Sequence, residues 1–286
     1  MTTHTPDADE LSQRAPLALL FHENSKITRA SRDWLTESLD EFAANDAELR
    51  KSLTAAKTYP GADRIPLPDR AELPPPSTPL SEVLARRRSV REYADRPIPL
   101  RLIGALLEHA YGVTARVPLE FEGGVMTQCL RAAPSGGGLY PIELYVVAFP
   151  QTPTGDADLR SGAYHFHPLD RCLELVRRDC PRSAIEPLVF TPDNRLAAPV
   201  LIVLTGRWQH ALAKYGERGY RVMLLDAGHV AQNLMLAATS LGLASCPLAG
   251  FLDDPLASEL RLDSNAEPVL CLLSLGFPLV GQPFQG

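Results

Sequence analysis

Three short segments carry residue types that can bind an anion, cradle a flat ligand or move a proton. The first is Arg86-Arg87-Arg88-Ser89-Val90-Arg91, the densest run of charge in a chain whose formal net charge is −6. Guanidinium groups present planar forks of donors that match phosphate oxygens, and Ser89 adds a hydroxyl, so this run suits a phosphate monoester. Arginines at a helix C-terminus also complement the helix dipole and are otherwise solvated. Charge alone leaves both readings open.

The second segment is Arg131-Ala132-Ala133-Pro134-Ser135-Gly136-Gly137-Gly138-Leu139-Tyr140-Pro141. Three residues without a Cβ let the backbone approach a flat ligand closely. The segment lacks the Lys-Ser/Thr of a P-loop, and no strand is expected to lead into it. It is either a ligand platform or a plain turn. The third segment is Lys214-Tyr215-Gly216-Glu217-Arg218-Gly219-Tyr220-Arg221. A lysine repelled by neighbouring arginines, or buried, gives up its proton more readily, which suits a general base with Tyr215 as relay. An ion pair with Glu217 would cancel that effect.

Other polar groups point less far. His165 and His167 alternate along an expected strand and face one side, but no carboxylate or cysteine stands near them at ligand spacing, so no metal site is expected. Asp226 and His229 lie three apart on an expected helix without a nucleophile elbow, and are read as packing or interface polar groups. Cys129, Cys172, Cys180, Cys246 and Cys271 are odd in number and contain no CxxC, so free thiols are expected rather than a disulfide frame or zinc site.

The elements that must position these groups can be read in outline. With 286 residues, 45% hydrophobic and 22% charged, the chain can bury a substantial core and is neither disordered nor fibrous. Its acidic balance gives no global field for nucleic acid or an anionic membrane. No bilayer-length apolar run or signal peptide is seen, and a cytoplasmic protein is expected.

Prolines crowd the stretch from Pro60 to Pro79, which reads as an extended strap. Before it, Ser31 to Lys57 is expected to be helical, with Trp34, Leu35, Leu39, Phe42, Leu49 and Leu53 as a broken apolar stripe. After it, a helix is expected with Thr78 as cap and Pro79 in first position, ending near Arg86. A second helix is expected through Leu102 to Ala110, closed by Gly112.

Strands are expected at Ile142–Phe149, Ala163–His167, Cys172–Val176, Val200–Thr205 and Val269–Leu275, with the longest helix from Tyr220 to Leu241. The mixture lacks a regular βαβ repeat, so an α+β fold is expected. The division is a helical extension at 1–59, the strap at 60–79 and a main domain at 80–286.

Four ordered segments, RRSVREY, PSGGGLYP leading into ELYVV, KYxxRxYR, and Gly228-His229-Val230-Ala231-Gln232-Asn233-Leu234, together resemble the FMN-dependent nitroreductase superfamily. Within it they are similar to the SagB-type thiazole/oxazole dehydrogenases. The resemblance spans roughly Leu80 to Pro278, and Phe21-His22-Glu23-Asn24-Ser25-Lys26 is similar to the subgroup's N-terminal segment.

It implies a mostly antiparallel sheet flanked by helices, and a homodimer joined along the long helix whose subunits both contribute to each FMN site. Arg87, Arg88, Ser89 and Arg91 would hold the phosphate. Arg131, Pro134, Ser135, Gly136, Gly137 and Leu139 would lie along the isoalloxazine, with Gly250 and Phe251 on its other side. Lys214 and Tyr215 would be the catalytic pair of an azoline oxidation in a peptide, with oxygen reoxidising the flavin and a cyclodehydratase as a possible partner. NAD(P)H-driven reduction of nitroaromatics or quinones, and non-catalytic flavin or peptide binding, are the alternatives. One departure is that no Lys or Arg follows Gly276-Phe277-Pro278, where many members place a basic residue for the phosphate.

Overall fold

The computed structural model describes residues 15–45, 47, 50, 56–121, 124–150, 159–191 and 195–279. Its α-helices are α1 (Pro16–Asn24), α2 (Arg32–Ala44), α3 (Leu80–Arg86), α4 (Leu100–Tyr111), α5 (Arg182–Ile185), α6 (Trp208–Tyr215), α7 (Arg218–Ser240) and α8 (Asp253–Glu259). Its strands are β1 (Arg64–Pro66), β2 (Val113–Phe121), β3 (Gly124–Arg131), β4 (Ile142–Ala148), β5 (Gly162–His167), β6 (Cys172–Arg178), β7 (Val200–Gly206), β8 (Ala244–Leu248) and β9 (Val269–Gly276). None of the described helices is long and apolar enough to cross a membrane.

Seven strands form one sheet in the order β1-β6-β5-β4-β7-β9-β8, with every neighbouring pair antiparallel. The central strands β4 and β7 are buried along their whole length, because helices cover both faces. Period-two alternation then sorts their side chains. Ile142, Leu144 and Val146 pack with residues of α4 and α7, whereas Tyr145, Val147 and Phe149 pack with Ile185, Leu256 and Leu260 around α5 and α8. The α+β expectation holds.

Helix α7 has 23 residues and runs against the first of these cores through Met223, Ala227, Val230, Ala231, Leu234 and Ala238. Its opposite side leaves Leu224 and Leu225 exposed. Helix α3 starts at Leu80 with Pro79 as its N-cap, and the Thr78 cap expected from sequence does not form. Of the long helix expected at 31–57, α2 ends at Ala44, and Leu49 and Leu53 lie outside the described residues.

The strap is more than a linker. Arg64–Pro66 pairs with β6 as an edge strand, where a proline without an N–H can be tolerated. Ahead of it, Lys57 forms an ion pair with Glu267, and Tyr59 meets the hydroxyl of Tyr145 at 2.9 Å.

The two histidines correct the sequence reading. Carboxylates do stand beside His165, but they come from neighbouring strands: Glu143 of β4 lies 2.9 Å from Nε2 and Glu174 of β6 lies 3.0 Å from Nδ1. Arg64 adds a 2.6 Å contact to Glu174, and Arg207 a 3.1 Å contact to Glu143. Burial alone would push the Glu143 carboxyl up, but the hydrogen bond and charge of His165, with Arg207 and Arg131 beyond it, hold it at about 2. Burial likewise pulls His165 down, and its two glutamates reverse that and raise it.

The signs set a pH window. Glu143 contributes stability above its ordinary value of 4.5 and loses it as the pH falls toward 2, whereas His165 contributes below 6.5 and loses it as the pH rises through its raised value. Glu143→Gln should therefore cost about 3 kcal/mol near pH 6, as breaking a buried pair does. In urea unfolding, that deficit should shrink as the pH is lowered toward 2.

Candidate active site

The glycine turn begins where β3 ends, so a strand does lead into it, contrary to the sequence reading. The β2–β3 hairpin, absent from the sequence reading, does leave a signal: Val113, Ala115, Val117, Leu119 and Phe121 alternate with Thr114, Arg116, Pro118 and Glu120. Ser135 organises the turn. Its Oγ donates to Oδ2 of Asp226 on α7 at 2.5 Å and accepts the Tyr140 amide at 2.9 Å, while the Gly136 amide donates to Oδ1 of Asp226 at 3.3 Å. Asp226, read from sequence as packing or an interface group, is thus the anchor that fixes the turn. Burial raises its pKa, opposed by these hydrogen bonds.

At two positions of this turn a Cβ would collide with side chains of α6 and α7. A Cβ on Gly136 would lie 2.4 Å from Val222 Cγ1. Gly137 has φ +65, and a Cβ there would lie 2.5 Å from Tyr215 Oη and 2.7 Å from Lys214 Nζ. The two polar tips that end α6 therefore rest directly on the bare backbone of the turn, and the segments expected to supply the base and the platform form one site. Gly136 and Gly137 meet the tips of Lys214 and Tyr215 here, Ser135 is held to Asp226 beside them, Pro134 is exposed and Leu139 is buried.

Of the two causes expected to lower Lys214, burial acts and repulsion by the arginines does not. Burial alone lowers its pKa, and the arginines of its segment are engaged elsewhere. Arg218 donates to the carbonyl of Ser25 at 2.9 Å, and Arg221 to the carbonyl of His22 at 2.8 Å. Burial raises Tyr215, and the nearby Asp226 charge adds to it, so the phenol stays protonated around neutrality.

Arg131 lies between the rings of Tyr111 and Tyr140, 4.5 and 5.0 Å from their centroids. Its Nε and Nη1 are buried without a hydrogen-bond partner among the described residues. Buried guanidinium donors left unpaired are costly, so they suit oxygen acceptors on a bound group.

The arginine cluster stands elsewhere in this chain. Arg88 caps the end of α3 by donating to the carbonyls of Ala85 and Arg87 at 2.9 and 2.7 Å, one of the two roles its sequence position allowed. Ser89 pairs with Ser245 of β8. A cavity of about 450 Å³ opens there, lined by Ser89, Arg91, Thr191, Arg195, Leu248 and Ser274 among others, and by no residue of the glycine turn. Gly250 and Phe251 follow β8, with the Gly250 carbonyl accepting the Phe190 amide. The glycine turn is anchored at Asp226 and β8 begins after the helix end at Ser240, so the two regions are separated by roughly 20 Å of helix rise. Arg96 stacks 3.4 Å over Phe277, so a cation reaches the end of β9 from another segment.

The nitroreductase family profile matches residues 84–277, which include every motif just placed. The chain belongs to the nitroreductase family. Relatives include the Methanocaldococcus jannaschii protein MJ1384, named as a nitroreductase, at 32% identity over 203 residues, 69% of this chain and 89% of that one. The microcin B17-processing protein McbC of Escherichia coli is 33% identical over 147 residues, 51% of this chain and 54% of McbC, so the chain spans about half of that relative. Among solved structures, one described as a nitroreductase from Anabaena variabilis superposes with a TM-score of 0.66 at 25% identity, covering 90% of this chain and 45% of that one.

Family membership makes this chain an oxidoreductase of the flavin-dependent kind. The residues present fit such a group. Beside the bare backbone of the glycine turn, Arg131 holds buried donors that have no hydrogen-bond partner among the described residues. Four of the five thiols are disfavoured as nucleophiles, because burial raises Cys172, Cys180, Cys246 and Cys271.

Gly137→Ala should cost only about 1–2 kcal/mol in folding stability, the price of a left-handed alanine. By displacing Lys214 and Tyr215 it should lower turnover at least tenfold. Thermal unfolding and steady-state kinetics on one preparation separate these effects.

Proposed function

We propose that this chain is an FMN-dependent dehydrogenase that oxidises thiazoline or oxazoline rings in a peptide to thiazole or oxazole. The observation that carries the reading is the half-buried Lys214, its proton affinity lowered by burial, set with Tyr215 against the backbone of Gly137. A relative named for processing microcin B17 supports a peptide substrate, and the enzyme that forms the azoline ring, a cyclodehydratase, would be the partner. Residues 80–286 would be the flavin domain, with 1–59 as extension and 60–79 as strap.

Arg87, Ser89 and Arg91 would grip the phosphate that distinguishes FMN from riboflavin, with Arg88 contributing its charge from the helix end. Arg131, Pro134, Ser135, Gly136, Gly137 and Leu139 would line one side of the ring system, and Gly250 and Phe251 the other. The separation of these two groups along α7 supports a homodimer in which one copy completes the other's site. The exposed Leu224 and Leu225 on α7 offer a face for it.

When bound, FMN supplies the two-electron acceptor for the hydrogen that leaves the ring with its electron pair, and oxygen is the terminal oxidant. Lys214 takes the other hydrogen as a proton from the azoline ring carbon. Tyr215, kept protonated by burial and by Asp226, holds a hydroxyl donor beside it. Asp226 and Ser135 keep the turn from shifting as the ring enters.

Purified protein should be yellow and release FMN on denaturation. Lys214→Ala should keep its flavin and lose roughly 100-fold or more of its azoline oxidation. Full turnover in that variant would remove Lys214 as base. NADPH-driven nitroaromatic reduction without azoline oxidation would replace the reading with a reductase, and yellow protein that no donor reduces would leave a binding protein.

A further inference from the structure

The N-terminal segment is folded onto the Lys214–Tyr215 site. Trp34 on α2 packs against Gly216, where a Cβ would lie 2.7 Å from its ring, immediately after the catalytic pair. Phe42, 5% exposed and the buried residue of α2, lies with its ring centroid 5.2 Å from Lys214 Nζ. Two arginines of the KYxxRxYR segment hold the preceding chain in place. Arg218 reaches Ser25, and Arg221 reaches both the carbonyl and Nδ1 of His22, while Phe21 meets Tyr220 edge-on at 5.4 Å. The FHENSK and KYxxRxYR segments, almost 200 residues apart in sequence by the span of these bonds, are thus two sides of one clasp.

We propose that Phe42 is a positioning residue for Lys214: held down by the clasp, its ring excludes water from the ammonium group and fixes it against Gly137. This rests on the reading of Lys214 as the base. Around Lys214, Tyr215 comes from its own helix, Gly137 from the turn and Phe42 from α2. Asp226 of α7 bears on Tyr215, Arg218 is turned to Ser25, and the α2 charges Arg32, Asp33, Glu37, Asp40 and Glu41 are exposed. No charge among the described residues offsets the loss of water. The ring face also attracts the ammonium, which favours the protonated form, but 5.2 Å is near the outer limit of about 6 Å for that attraction. Exclusion of water is the larger effect.

The test is competitive trace acetylation of the full-length holoprotein across the alkaline range, with Lys214 followed by mass spectrometry of its peptide. Azoline oxidation is measured over the same range. Phe42→Ala should raise the midpoint of Lys214 labelling by roughly one pH unit, move the acid limb of kcat the same way, and lower kcat roughly tenfold with KM less affected. Bound flavin should be unchanged, and Phe42→Leu should restore most of both effects. An unmoved midpoint in Phe42→Ala overturns the proposal, as does a kcat loss matched by loss of flavin. Should Phe42→Ala fail to fold, Arg221→Ala, which opens the clasp from the surface, decides by the same midpoint: a rise supports the proposal and no change overturns it. A midpoint that moves in a protein without azoline turnover would keep the positioning role and reject the proposed substrate.

Discussion

The structure depends on one close approach, that of the Lys214 and Tyr215 tips to a backbone that carries no side chain at Gly137. A methyl group there would occupy the space those tips fill, so the site exists only because the turn is bare and is held still. Stillness comes from α7. The Asp226 carboxylate takes a hydroxyl and an amide from the turn, and the hydroxyl in turn takes the Tyr140 amide. Three hydrogen bonds on one serine and one carboxylate, one of them charge-assisted and short, immobilise a triple glycine that would otherwise carry more conformational freedom than any other tripeptide.

Helix α7 serves as the common spine. One stripe packs into the core, another residue anchors the glycine turn, its first turn grips the N-terminal segment, and its outer side exposes leucines. Its rigidity relates these functions at fixed distances set by helix rise. This also explains why the arginine cluster and the glycine turn remain apart within one chain: they are attached near opposite ends of the same rod. The ionic chain from exposed Arg64 through buried Glu174, His165 and Glu143 to Arg207 ties the strap to the start of α6, and α6 carries the lysine. Strap, sheet and the lysine-bearing helix are therefore mechanically continuous.

Local signals settled much of this. Runs of β-branched and aromatic residues gave β4, β5, β6, β7 and β9, and a long helical period gave α7, because burial on a sheet or helix face imposes its period directly on the sequence. The motifs located Ser135 to Leu139 and Lys214-Tyr215 because glycine runs and a lysine beside tyrosine are visible without knowing the fold. Tertiary structure decided what each group touches. Asp226 gains its role from a serine 91 positions away, His165 from glutamates on two other strands, and Arg218 and Arg221 from carbonyls at the far end of the chain. Such pairings leave no mark in local composition, since a hydrogen bond depends on where two backbones are brought together and not on the residues between them.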